Sequence, residues 1–400
     1  PDNWKTKYPN LAAAHKASGV GDYTDEEFGG TYFLHRAIFF LNSPPVKKHV
    51  GHATYYLRKD WGEAAGYPPK DAMKFSEILE YARRVKAADP GKVGSGLIPI
   101  SILASEITGF VSANGVLGYA QNAQGRYYWT GGDKFVLDSL KLAAQAYEEG
   151  LLNKEFYTVK DPDQVGAFYT GKAAATHAAG MGWRMTEFDT HFQNDLGLNY
   201  FDAVTPVIPI GEDGKFHGRE AGMQTWGSIV FSPTIDDAKL ERILYMLDYS
   251  CTKEGQYEIR LGLKDIDWKE EADGEITTLI PPGSVTTKYA LTPVYSWMFI
   301  LPDDFMFIDP ATKKPIRDKI RDMYILREKL TDDVSFPPDP DWTLELFSPK
   351  TKVPEIRTAD DFSAIVVRGG NIEASWRAWV QEKQALLQPV LDELNAAPRR

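Results

Sequence analysis

Apolar positions along this chain switch between two spacings. The run YYLRKDW, Tyr55 to Trp61, is apolar and aromatic and feeds a charged turn. After a Gly-Tyr-Pro-Pro break, Phe75, Ile78, Leu79, Ala82 and Val85 recur at the three-and-four spacing that lines one face of a helix. A strand, then an amphipathic helix ended by Asp89-Pro90-Gly91, is predicted. The same spacing predicts helices over 138–149, stopped by Gly150, over 236–249, opened by an Asp able to cap, and over 316–330, with Pro315 at a first-turn position. Short apolar runs at 227–231 and 364–367 read as buried strands, and the small-residue stretch Ala173 to Ala179 as another. RYYWTGG, 126–132, is hairpin-like, an aromatic cluster expected to cover the core or a lobe edge. Pro and Gly stop regular structure at 43–45, 66–69, 281–283 and 336–340.

Four hundred residues exceed what one hydrophobic core usually serves, so two domains are expected, and a hydrophobic content of 43% supplies their interiors. A net charge of −11 argues against a partner made of phosphate backbone, which would call for clustered Lys and Arg. The single cysteine, Cys251, excludes an intrachain disulfide and reads as a buried structural thiol. No stretch approaches the roughly 18 apolar residues that cross a bilayer.

Four stretches carry a resemblance. RKDW with its following helix and DP turn is the first. AYEEGLLNKEF, Ala146 to Phe156, with FYTGKAAATHAAGMGW, Phe168 to Trp183, is the second. ERILYMLDYSCTKEGQYEIRLGLKDIDW, Glu241 to Trp268, is the third, and a Val-rich segment ending in Gly369 and Gly370 before a long C-terminal helix is the fourth. In this order they resemble extracellular solute-binding proteins of ABC importers, of the oligosaccharide-binding, lipoprotein-like type. The resemblance implies an α/β, two-lobed, periplasmic-binding-protein-like (type II) fold whose chain crosses between lobes near 54–57, 222–226 and 296–301. The N-terminal lobe would take 1–56 and 223–298, the C-terminal lobe 57–222 and 299–400. Pro1 would correspond to an internal position, leaving the N-terminal lobe incomplete and a lipid anchor outside this chain. It further implies a monomer, extracellular or periplasmic, that captures a carbohydrate without catalysis or cofactor and passes it to a transporter permease. Two such lobes close on a ligand by rigid-body rotation.

Ten Trp and 20 Tyr suit saccharides, whose apolar C–H faces stack on aromatic rings while their hydroxyls seek polar partners. Trp183, after the small residues of GMGW, is the leading candidate, read as either a ligand platform or a core residue. Trp226 at the second crossing, and Tyr295 and Trp297 at the third, are further candidates, each equally readable as packing. Arg36, Arg184, Arg219 and Glu220 are polar candidates, with an ordinary surface charge as the alternative for each.

Other chemistry finds little support. His49 and His52 lack the Glu-bearing helix of a zinc site. The segment Asp89 to Pro99 keeps one carboxylate, too few for a calcium ion, and no metal is expected there. Nucleophile elbows, phosphate loops and dinucleotide fingerprints do not occur. A carbohydrate-active enzyme is the alternative reading, since it also explains the aromatics, and a ligand-sensing subunit for a membrane sensor is another.

Overall fold

The computed structural model describes residues 3–17, 21–37, 53–217, 225–281, 284–289, 312–331 and 354–396. The chain divides into two compact units, the first made of 1–49, 181–183 and 221–321, the second of 50–180, 184–220 and 322–400. Where the expected return segment ended at 298, the first unit continues to 321, inside the helix Lys314–Leu330. The expected crossing at 54–57 falls within a strand of the second unit. That at 296–301 lies outside the described residues.

The strands described are β1 (Leu34–Ala37), β2 (Ala53–Arg58), β3 (Ala72–Lys74), β4 (Tyr119–Gln121), β5 (Tyr127–Trp129), β6 (Ala175–Ala179), β7 (Val204–Ile210), β8 (Thr225–Ile229), β9 (Trp268–Glu270) and β10 (Ile276–Thr278). In the second unit four of them form a sheet in the order β3-β7-β2-β6. β2 runs antiparallel to both neighbours, with Tyr55 opposite His177 on β6 and Val207 on β7.

Alternation along β2 sends Tyr55 and Leu57 to one face and Tyr56 and Arg58 to the other. On the first face they join one core with Phe75, Ile78, Leu79, Ala82 and Val85 of the helix Phe75–Ala88, the five positions that the helical spacing singles out. On the second, Tyr56 meets Phe188 edge-on at 4.8 Å. Arg58 ends the strand with its guanidinium bonded to Asp60 and lying 4.3 Å over the Trp61 ring, so the charged turn is the short helix Lys59–Ala64. Arg327, fully buried, donates from Nη2 to the Ala53 carbonyl (3.1 Å) and the Thr54 hydroxyl (2.7 Å), tying the helix Lys314–Leu330 to the start of β2. The hairpin β4-β5 is where RYYWTGG places it, and Trp129 packs 4.9 Å from Trp379 in the core.

Two sequence expectations need correction. Residues 364–367 belong to the helix Thr358–Arg368, not to a strand. A short apolar run does not reveal its own period, and the wider pattern decides: Phe362, Ile365 and Val366 share a buried face, Asp360 and Asp361 sit in the first turn, and Gly369 ends the helix at φ +63°, a conformation open to glycine at little cost. The run 227–231 does contain a strand, β8, but β8 pairs only with β1 among the described residues, and Ser228 and Val230 are exposed. It is a strand at the surface and not a buried one.

In the first unit Trp4, Tyr8, Leu11, Leu34, Leu244, Leu247 and Cys251 form a core. Burial pushes the Cys251 thiol up to about 12, which suits an inert structural cysteine. Asp236 caps the helix Asp237–Ser250 by accepting the Lys239 N–H at 2.9 Å. The next helix, Lys253–Leu261, follows so closely that a Cβ at Gly255 would stand 2.1 Å from the Tyr249 carbonyl oxygen, which explains the glycine at this corner.

Beyond that helix, Asp267 gathers the closing turn. It accepts from Lys288 Nζ (2.5 Å), the Tyr289 hydroxyl (2.6 Å) and the Leu263 N–H (2.9 Å). The Lys288 and Tyr289 hydrogen bonds hold its carboxyl at about 2, below the usual range. Because the folded value is depressed, the carboxylate stabilises the fold above the unfolded value near 3.9 and loses that contribution as pH falls toward 2. Asp267→Asn is expected to lower the thermal midpoint at pH 7, and its deficit relative to the parent is expected to shrink in unfolding scans between pH 4 and pH 2. A deficit independent of pH over that window would contradict this role.

Candidate functional site

The strand β6 delivers the chain through Gly180 and Met181 into the helix Gly182–Asp195, so Trp183 and Arg184 occupy its first turn. Trp183 is 53% exposed. That exposure argues against the core reading of Trp183, and the predicted corner is a helix start. Arg184 beside it is buried, which removes the surface-charge reading. Its Nη1 donates to Glu187 (2.5 Å), its Nη2 to Asp161 (2.9 Å), and the guanidinium lies 5.9 Å over Phe188. Both acids flank a fixed cation, an arrangement that orients the helix start.

Arg36 lies on β1 and Trp226 on β8 by backbone, and their side chains are outside the described set. Arg219, Glu220, Tyr295 and Trp297, like His49 and His52, lie outside the described residues altogether. Among the described candidates, Trp183 and Arg184 are neighbours in one helical turn, and Arg36 and Trp226 fall on paired strands, where His35 is opposite Ser228 and Ala37 opposite Thr225.

Within the second unit a cavity of about 490 Å³ opens at the end of the sheet where β2 begins. Tyr55, Thr108, Ser112, His177 and His217 supply its polar lining, and residues such as Val116, Leu117 and Phe216 its apolar lining. Tyr55 and His177 face each other because they are register partners on β2 and β6, with rings 4.9 Å apart. Behind them, His177 Nδ1 lies 3.0 Å from Glu106 Oε1, while Glu106 Oε2 accepts the Leu103 N–H (2.8 Å) and Gln164 Nε2 (2.8 Å). Gln164 Nε2 also reaches the His177 carbonyl at 2.7 Å. Burial, and secondarily the Glu106 carboxylate, push the Tyr55 phenol well above its ordinary range, so it remains a protonated donor. Sequence reasoning missed this group. The strand pattern carries no register, and the pairing of Tyr55 with a residue more than a hundred positions away is set only when the sheet forms.

Among the described residues no group of three or more His, Cys, Asp or Glu side chains is arranged to hold a metal ion. The Asp89 carboxylate instead accepts the N–H groups of Val93 (2.9 Å) and Gly94 (2.8 Å), closing its own turn.

No protein-family profile matches the chain, and no curated protein matches its sequence. Solved structures do. Alginate-binding protein AlgQ2, crystallised without calcium ion, aligns over 99% of this chain and 80% of its own at 16% identity and a TM-score of 0.68. A solute-binding protein from Bifidobacterium longum infantis, described as HMO-binding and associated with an ABC transporter, aligns over 99% and 82% at 16% identity and a TM-score of 0.61. The Streptococcus pneumoniae ABC-transporter substrate-binding protein FusA, in complex with kestose, aligns over 99% and 83% at 15% identity and a TM-score of 0.57. At these identities the likeness establishes the fold: this chain has the α/β fold of solute-binding proteins.

Neighbouring residues at the helix start should respond oppositely to truncation. Trp183→Ala, at an exposed position, is expected to leave the unfolding midpoint almost unchanged, whereas Arg184→Ala removes charge-assisted bonds and is expected to cost about 1.5–3 kcal/mol. Denaturant unfolding of both variants checks this. Equal losses would show that Trp183 also packs as core.

Proposed function

We propose that this chain is the extracellular or periplasmic solute-binding subunit of an ABC importer, which captures a carbohydrate, most simply an oligosaccharide, and releases it unchanged to a membrane permease. The observation that carries the reading is the fold likeness over 99% of the chain to proteins described as binding alginate, HMO and kestose. The exposed aromatic face of Trp183 supports it, because an indole offered to solvent suits stacking against a sugar ring. No described helix is long and apolar enough to cross a membrane. The protein acts as a monomer in this reading.

A binding protein of this kind gains stability with occupancy. A ligand at a hundredfold its dissociation constant adds about 2.7 kcal/mol if it binds the folded state alone. A thermal-shift screen against neutral and acidic oligosaccharides is expected to yield at least one concentration-dependent rise in midpoint, and a flat response across both classes would remove the carbohydrate reading. With the ligand so found, Trp183→Ala is expected to weaken binding about tenfold, equivalent to about 1.4 kcal/mol, by calorimetric titration. Unchanged affinity would take Trp183 out of the site.

A further inference from the structure

Buried phenol hydroxyls are nearly always hydrogen-bonded, since an unpaired one forfeits its bonds to water without replacement. Tyr55 departs from this. It is fully buried, its hydroxyl has no hydrogen-bond partner, and it lines the 490 Å³ cavity of the second unit. Gly109 lines the cavity beside it, where a Cβ would stand in ordinary contact 3.9 Å from the hydroxyl oxygen. His177, beside it on the same face, turns Nδ1 to Glu106 at 3.0 Å, which leaves Nε2 as its second hydrogen-bonding atom. Val116, Leu117 and Phe216 give the same cavity apolar lining. A volume of this size falls within the roughly 300–1,000 Å³ of small-molecule sites.

We infer that this cavity takes one neutral hydroxylated ring of a saccharide, its hydroxyls bonded by Tyr55 and His177 and its C–H face set against Val116, Leu117 and Phe216. The inference rests on the carbohydrate reading above and narrows it. A sugar ring matches both linings, because its hydroxyls radiate from the ring edge while its axial C–H bonds make an apolar face. The charge of the wall separates neutral rings from acidic ones. Glu106 is fixed behind His177 by the Leu103 N–H and Gln164, so a ring bearing a carboxylate would bring a second negative charge toward a carboxylate held in place. Each histidine of the wall already faces a carboxylate, His177 that of Glu106 and His217 that of Asp213, so the wall carries no uncompensated positive charge. An acidic saccharide such as alginate therefore gains no counterion from this group.

Calorimetric titration of the full chain with a neutral trisaccharide panel that includes kestose, and in parallel with an alginate trisaccharide, tests this directly. At least one neutral trisaccharide is expected to bind tenfold or more tighter than alginate trisaccharide. Tyr55→Phe, which removes one oxygen that has no partner in the unliganded protein, is expected to weaken that neutral ligand about tenfold while leaving the unliganded unfolding midpoint in place. Glu106→Gln is expected to narrow the gap between neutral and acidic ligands. Tighter binding of alginate trisaccharide than of every neutral sugar overturns the inference and leaves the carbohydrate reading standing. So does an unaltered affinity in Tyr55→Phe. Binding of neither class removes both.

Discussion

Everything in the second unit depends on β2 being buried on both faces. A strand of six residues that places Tyr55 and Leu57 against one layer and Tyr56 and Arg58 against another cannot sit at the surface of a single-layered sheet. It needs helices above and below, and the helix Phe75–Ala88 on one side and Gly182–Asp195 on the other supply them. The strand's polar groups are accounted for in the same way. Tyr81 donates to the Arg58 carbonyl, Tyr56 to the Ala179 carbonyl, and Arg327 to Ala53 and Thr54. Backbone at the strand's two ends is thus held by side chains from two other segments, those of Tyr81 and Arg327, while Tyr56 of the strand itself holds the end of β6.

The register that this burial imposes creates the cavity. With Tyr55 opposite His177, one face of the sheet end carries a phenol and an imidazole where hydrophobic side chains would complete the layer. Glu106, itself held by Gln164, then faces the imidazole and the phenol is left unpaired, so polarity is concentrated where the packing leaves volume. Trp183 follows from the same strand: β6 ends in small residues, the chain turns, and the first helical turn presents an indole to solvent over a buried, doubly paired Arg184.

Local periodicity carried much of the architecture. The face of Phe75–Ala88, the cap at Asp236, the stop at Gly150 and the hairpin at Tyr127–Trp129 are each decided within about a dozen residues, and each is where the pattern placed it. The failures have a common cause. The 364–367 run is too short to show its period, and only Phe362 and the acids before it reveal a helix. Arg184 looked like surface because its partners Asp161 and Glu187 become neighbours only through the fold. The Tyr55–His177 pair was invisible for the same reason, being a product of long-range register. Exposure of Trp183 favours the ligand platform over the core, the two readings that the sequence left open.

Equilibrium dialysis against a saccharide, followed by chromatography of the recovered ligand, tests whether this protein captures a sugar without chemistry. Saturable binding near one ligand per chain, with the saccharide recovered intact after prolonged incubation, is the predicted result. Steady appearance of shortened or transferred saccharide products would contradict it.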